Sequence, residues 1–339
     1  MPHTIVVTGA SGLLGRAVYE AFAARPEFHV VGTAFSRAGK HASLDLTDAA
    51  ALESFLATTR PALVVHCAAE RRPDVAARDE AGTLRLNVNA SGTLSRLAAQ
   101  AGAKLVYIST DYVFDGTSPP YEVDAAPNPL NFYGVRWGAT SLVSRVRGAD
   151  PGDRTGKSKL AGEQAVLEAD PHAAVLRVPV LYGVVDNNGD SAVNILIDIV
   201  KASPPPPISL AARLRADRAA SQDSSKQTKM DHFQSRFPTC VEDVAKALVG
   251  LADKHFGGVS VEGVFHFSAK ERMTKYDMCK VLGELLNAPI SHLIPETEAP
   301  KDPIATRPND AQLSTARIES IGVKIECVPF RTWFAQHLG

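Results

Sequence analysis

Residues 4–16 read "TIVVTGASGLLGR", an apolar run of strand length that breaks at three spaced glycines and continues as a helix-length amphipathic segment. Gly9 permits a tight turn, Gly12 lets the backbone approach a pyrophosphate, and Gly15 lets the helix pack against the strand. The N–H groups at the helix start then face the phosphates. Three glycines alone carry little weight; after the first strand of a strand–helix–strand pattern they predict a dinucleotide-binding turn formed by Thr8, Gly9, Ser11, Gly12, Leu13, Leu14, Gly15 and Arg16.

The same rhythm continues along the chain. "HVVGTAF" at 29–35, "ALVVHCAA" at 62–69, "KLVYIST" at 104–110 and "AAVLRVPVLYG" at 173–183 are too continuously apolar for half-exposed strands. Between them, 13–25, 48–59 and 83–101 carry the 3.6-residue spacing of crossover helices. Buried strands alternating with such helices predict an α/β fold with a doubly wound parallel sheet of the Rossmann kind. Beyond about residue 184 the rhythm weakens, so residues 1–184 are expected to form the nucleotide-binding domain and 185–339 a smaller C-terminal α/β domain. A strand near 263–268, "GVFHFS", is expected to return to the main sheet.

Charge and composition narrow the partners. The 339 residues carry 36 Lys and Arg against 37 Asp and Glu. So balanced a chain has no field to draw it to nucleic acid or an anionic membrane. Cys67, Cys240, Cys279 and Cys327 are widely spaced, without metal-type pairs, and read as free thiols of a reducing compartment. No apolar run approaches bilayer length and the opening "MPHTIVV" has no basic leader, so the expected location is cytoplasmic.

The second strand ends "TAFSRAGK", where an acidic side chain would grip the ribose 2′-hydroxyl of NAD; Ser36, Arg37 and Lys40 stand there instead. With Arg16 they suit a 2′-phosphate, so the expected cofactor is NADP. Asp45 and Leu46 are placed to hold the adenine edge, and Cys67, Ala68 and Ala69 to lie beside the pyrophosphate and ribose. His66 ends a buried strand and reads as a packed histidine, while Asp231 and His232 lack the second ligand pair a metal would need. Tyr276 and Lys280 fit a Tyr-x-x-x-Lys spacing but read as ordinary positions of an amphipathic helix.

These features resemble the extended short-chain dehydrogenase/reductase superfamily, whose catalytic set is a Ser or Thr, a Tyr and a Lys. "STDYVFDG" at 109–116 resembles the strand-end motif of dTDP-4-dehydrorhamnose reductases. That resemblance makes Thr110, Tyr133 and Lys159 the catalytic candidates and adds Asn87, Tyr133, Lys159 and Pro179 to the cofactor-binding set. A closer resemblance is to the regulatory (beta) subunits of methionine adenosyltransferase. It rests on "GLLGRAV", "HCAAERRPDV", "DYVFDGTSPPY", "KMDHFQSRFPT", "MTKYDM" and "RPNDAQL", which occur in family order. It implies a non-catalytic NADP-binding subunit that assembles with the catalytic methionine adenosyltransferase and modulates S-adenosylmethionine synthesis. The alternative it leaves is an NADPH-dependent reductase of a dTDP-4-keto sugar. Arg71 and Arg72 in "AAERRPDV", with Arg307, are the candidates for binding substrate or partner.

Two stretches interrupt this pattern, 135–156 and 202–225. In a helix, residues four apart share a face, yet Trp137 stands four after Tyr133 and Thr155 four before Lys159. Removing 135–156 leaves "NFYGKSKLAGEQAVLE", with Tyr133 and Lys159 in register. Each of the two segments reads either as translated intron sequence, the first beginning at a valine whose codon starts with GT, or as a lineage-specific loop. Either way the full-length chain is expected to keep NADP and lose most of any reductase activity.

Overall fold

The computed structural model describes residues 2–36, 38–71, 79–130, 155–202, 227–298 and 308–338. Its chain begins with strand β1 (His3–Thr8), helix α1 (Leu13–Ala23), β2 (Phe28–Ala34), β3 (Ala42–Ser43), α2 (Ala49–Thr59) and β4 (Leu63–His66). Helix α3 (Glu80–Leu84), a π-helical stretch (Arg85–Ala90) and α4 (Ser91–Gln100) then run without a break into the turn before β5 (Lys104–Thr110). Helix α5 (Thr155–Ala169) leads to β6 (Ala174–Val178) and β7 (Leu181–Tyr182). The remainder comprises α6 (Ile195–Lys201), β8 (Thr228–Asp231), β9 (Thr239–Cys240), α7 (Val241–Phe256), β10 (Gly263–His266), α8 (Lys275–Leu285), β11 (Leu293–Glu296), α9 (Ala316–Ser320) and α10 (Phe330–His337).

Seven strands form one sheet in the order β10-β6-β5-β4-β1-β2-β3, every pair parallel. The order reverses between β1 and β4, the topological switch point outside whose strand ends ligands bind in such sheets. Its central strands β4, β5 and β6 are buried on both faces, which is why they read as continuous apolar runs. Ile5 and Val7 enter one core with Val18 and Phe22 of α1 and Val244, Leu248 and Leu251 of α7. Val6 and Val64 enter the opposite core with Leu94 of α4 and Val166 of α5. Each fully buried aliphatic side chain contributes about 1.5–3 kcal/mol over an exposed one, so the alternation along β1 alone binds both helical layers.

The expected strand across 173–183 is two strands. Pro179 has no N–H to continue the ladder after Val178, and the chain leaves the main sheet; β7 pairs instead with β9. "GVFHFS" returns beside β6 as β10. With α7 packed against α1, the chain beyond residue 184 therefore also covers the main sheet. A separate core gathers Tyr182, Met278, Leu282, Phe330, Trp333 and Phe334. There the Tyr182 ring lies 5.3, 5.2 and 5.2 Å from the rings of Phe330, Trp333 and Phe334.

The interruptions fall outside the described residues, apart from Thr155 and Gly156, which open α5, and Ala202, which follows α6. Tyr133, Arg37, Arg72 and Arg307 also lie outside them.

Candidate functional site

At the C-terminal end of β1 the chain turns through Gly9 at φ +66°, and a Cβ there would stand 2.8 Å from the Ala68 Cα. Only glycine meets both demands. A Cβ on Gly15 would overlap the Gly9 carbonyl, so the start of α1 lies directly on the turn. Gly12 caps α1 with no side-chain hydrogen bond, leaving the first-turn N–H groups without a side-chain acceptor. Together these features make a cradle, narrowed by the absence of side chains, that fits a pyrophosphate at a helix N-terminus.

Beneath the turn a buried chain of hydrogen bonds links three elements. The Ala68 N–H donates to Thr8 Oγ1 over 3.4 Å, Thr8 Oγ1 lies 2.7 Å from His66 Nδ1, and His66 Nε2 lies 2.9 Å from Ser91 Oγ. One tautomer satisfies every member: Thr8 donates to Nδ1, and the Nε2 proton goes to Ser91, which donates weakly to the Leu86 carbonyl at 3.5 Å. Burial holds the imidazole neutral, pulling its pKa down to about 3. His66 is thus a structural link, and Thr8 faces inward.

Asn87 lies in the π-helical stretch, and π-helical turns occur often at functional sites. Its amide donates to the Glu70 carbonyl at 2.9 Å and to Ser158 Oγ at 3.0 Å, and its oxygen accepts from the Glu70 N–H at 2.8 Å. The side chain thereby ties the loop after β4 to the residue preceding Lys159. In that loop burial pushes the Cys67 thiol up to about 12, which leaves it no nucleophilic character at neutral pH.

Around the end of β2, Ser36 is exposed. Arg16 pairs with Asp186 at 3.1 Å, and the Lys40 ammonium lies 4.9 Å from the centre of the Tyr19 ring. Asp45 accepts from the N–H and hydroxyl of Thr47 at 2.9 and 2.7 Å, and Leu46 is buried in the sheet core. Arg71 donates to the Asp190 carbonyl, bridging the loop after β4 to the short helical turn at Asn188–Asp190.

On the reactive side, α5 buries Lys159, whose ammonium lies 3.8 Å from the centre of the Tyr107 ring. Burial lowers its pKa to about 7, against the opposing pull of Glu163 and Cys67. Thr110 at the end of β5 donates to Asp111 Oδ1 at 3.0 Å and accepts from the Tyr112 N–H at 3.2 Å. The structure thus puts Thr110 at the end of β5 and Lys159 within neighbouring α5, one hydroxyl and one amine that dissociates near neutrality.

Sequence reading missed two groups here. Asp111 is buried, and burial raises its carboxyl to about 7 despite hydrogen bonds from Thr110 and the backbone and the charge of Arg236. Glu163 and Arg177 form a buried bidentate pair, Nε to Oε1 at 2.9 Å and Nη2 to Oε2 at 2.7 Å. Arg177 also lies 5.0 Å from the Phe114 ring centre and 3.4 Å from His266 Nε2. An arginine inside the apolar run "AAVLRVPV" was the available signal, since such a charge needs a buried partner.

Asp111 yields a prediction about pH. Its folded-state pKa is raised, so it favours folding fully below its unfolded value near 4, and that contribution is lost as pH rises through about 7. Asp111→Asn should therefore gain stability relative to the parent at pH 8 more than at pH 4. Urea midpoints at the two pH values check this; an equal difference at both would contradict it.

His232 Nδ1 lies 2.9 Å from the Thr274 hydroxyl, and Lys280 pairs with Asp277 at 3.2 Å on the far lobe. Among the described residues no three His, Cys, Asp or Glu side chains gather where they could hold a metal ion, and the four cysteines are unpaired. No helix among the described residues is long and apolar enough to cross a membrane.

A seven-stranded parallel sheet with a glycine turn at its switch point, a Thr at the end of β5 and a Lys within α5 define the extended short-chain dehydrogenase/reductase architecture. The RmlD substrate binding domain family matches residues 3–139 and 217–337. Methionine adenosyltransferase 2 subunit beta of Bos taurus is 42% identical over 335 residues, covering 98% of this chain and 86% of that one. The subunit of the same name from Danio rerio is 40% identical over 340 residues, covering 98% and 91%. A dTDP-4-dehydrorhamnose reductase of Mycolicibacterium smegmatis is 30% identical over 335 residues, covering 98% and 83%. The chain belongs to the methionine adenosyltransferase beta subunit family, within the wider RmlD substrate binding domain family.

Solved structures share the fold. A dTDP-4-dehydrorhamnose reductase from Clostridium acetobutylicum superposes with a TM-score of 0.74 at 23% identity, over 99% of this chain and 98% of that one. The Bacillus anthracis reductase, solved in complex with NADP, gives 0.72 at 22% identity, over 100% and 98%.

Proposed function

We propose that the chain is a cytoplasmic, NADP-binding, non-catalytic subunit that assembles with catalytic methionine adenosyltransferase and modulates S-adenosylmethionine synthesis. The observation that carries this reading is identity of 40–42% over 98% of the chain to proteins named as that subunit. In this reading the N–H groups of Leu13 and Leu14 hold the pyrophosphate, while the Gly12 N–H closes the turn on the Gly9 carbonyl, and Ser36, Arg37 and Arg16 meet the 2′-phosphate. Asp45 and Leu46 border the adenine, and Lys159 holds the ribose next to the nicotinamide. Asn87 and Pro179 border the same cleft, with Ala68 and Ala69 beside the pyrophosphate. The glycine cradle supports this assignment, since its Cβ-free floor accommodates a backbone-bound phosphate. Arg71, Arg72 and Arg307 are in this reading the candidates for meeting a partner's carboxylates.

Copurification with the catalytic synthetase tests the reading. Retention of the synthetase together with a change in its rate of S-adenosylmethionine formation is the expected result; a chain that neither retains it nor changes its rate sinks the assignment.

A second reading, reduction of a dTDP-4-keto sugar, is supported by Thr110 and Lys159. Bound NADPH would supply the hydride; Thr110 would hydrogen-bond the substrate carbonyl, and Tyr133 would donate the proton. Steady NADPH consumption with that sugar, without binding to the synthetase, would reverse the order of the two readings.

Lys159 predicts the pH dependence of cofactor binding. Its pKa near 7 means the ammonium that donates to ribose hydroxyls is lost as pH rises through neutrality. NADPH affinity should fall between pH 7 and 9, and Lys159→Arg, which stays charged, should flatten that fall. A parent titration curve as flat as the arginine variant's would contradict this.

A further inference from the structure

Lys159 and Glu163 lie four residues apart on α5, the spacing at which a lysine and a glutamate form an ion pair on a helix. They do not form one here: both are buried, and Glu163 spends both carboxylate oxygens on Arg177 from β6. Among the described residues the groups that face Lys159 are Glu163 on its own helix, His66 and Cys67 at the end of β4, and the Tyr107 ring on β5. Among these Glu163 is the one carboxylate. The lysine consequently rests on an aromatic face, and no hydrogen bond joins its N–H donors to another of the described residues.

We propose that Arg177 is a positioning residue which, by holding both oxygens of Glu163, keeps that carboxylate from capturing Lys159 and leaves the ammonium available to a ligand in the cleft. A guanidinium suits this task because its fork occupies the two oxygens at once, whereas an ammonium binds as a point charge and leaves one free. Phe114 and His266 hold the guanidinium from the far side, so its orientation does not depend on Glu163 alone. The identity of that ligand as a dinucleotide rests on the function proposed above; the withholding of Glu163 does not.

The test compares the full-length parent with Arg177→Met and with Arg177→Met combined with Glu163→Gln, all checked for folding by circular dichroism. In NADPH titrations Arg177→Met is expected to weaken binding about tenfold or more, and the double variant to return to within about threefold of the parent. Loss of packing alone would leave the double variant no better than the single one, and that result would overturn the proposal, as would parent-like binding by Arg177→Met. Should Arg177→Met fail to fold, Arg177→Lys takes its place, with a smaller loss rescued by the same Glu163→Gln change.

A second measurement is independent of any cofactor. Acetic anhydride labelling of Lys159, read by peptide mass spectrometry near neutral pH, should slow in Arg177→Met and recover in the double variant. A parent that binds no dinucleotide while showing this labelling pattern would defeat the cofactor reading and keep the role of Arg177. Labelling that is the same in all three proteins would defeat the role itself.

Discussion

Gly15→Ala is expected to reduce NADP affinity by at least about 100-fold, equivalent to about 2.7 kcal/mol of binding free energy. The added Cβ has no room: it would overlap the Gly9 carbonyl and press on the Gly9 carbon. Both neighbours are backbone, so relief requires the start of α1 to move away from the turn. The α1 N–H groups proposed to face the phosphates move with it, and an anion site made of fixed backbone donors weakens steeply when those donors are displaced. Gly39 provides the control, because a Cβ there meets nothing within 4 Å, although its φ of +53° makes some local strain the price of alanine. Calorimetric titration of the two variants checks this. Gly15→Ala binding as tightly as Gly39→Ala would show that the cradle is not the phosphate site.

Glu163→Ala should destabilise the fold by about 3–5 kcal/mol, the range for removing one partner of a buried ion pair. Both side chains are only 3% exposed, so the stranded Arg177 guanidinium cannot reach water without opening the packing between α5 and β6. Natural domains are stable by only about 5–15 kcal/mol, which makes this a large fraction of the total. Replacing both members with apolar residues of similar size, Glu163→Leu with Arg177→Met, should recover most of the loss, because no uncompensated charge then remains buried. Urea unfolding of the single and double variants measures the difference. A double variant as unstable as Glu163→Ala would mean that the pair supplies net attraction, beyond merely neutralising itself.

Most of the sheet was legible because parallel strands buried on both faces have no polar alternation to confuse them. "TIVVT", "ALVVH" and "KLVYIST" could be read as strands from apolar continuity alone, whereas the return of "GVFHFS" to the sheet edge was expected from the habit of such folds to bring one late strand back. The division of 173–183 into β6 and β7 was missed because apolarity is indifferent to which sheet a residue enters, while the ladder depends on the N–H that Pro179 lacks. The glycine turn was legible through its spacing, since backbone geometry leaves a mark in residue type. The Glu163–Arg177 pair and the raised Asp111 carboxyl were not, because they depend on burial and on contacts between elements far apart in sequence. Asn87 illustrates the limit well: its place in the set came from family resemblance, while its three hydrogen bonds to Glu70 and Ser158 could not be inferred from "LNVNA".

The most direct test of the whole account is a calorimetric titration of the full-length chain with NADP and, separately, with NAD. One NADP per chain, bound at least about tenfold more tightly than NAD, is the result expected from a glycine cradle flanked by Ser36, Arg37 and Arg16 with no acidic residue to grip a 2′-hydroxyl. No binding of either nucleotide, or a preference for NAD, would contradict it.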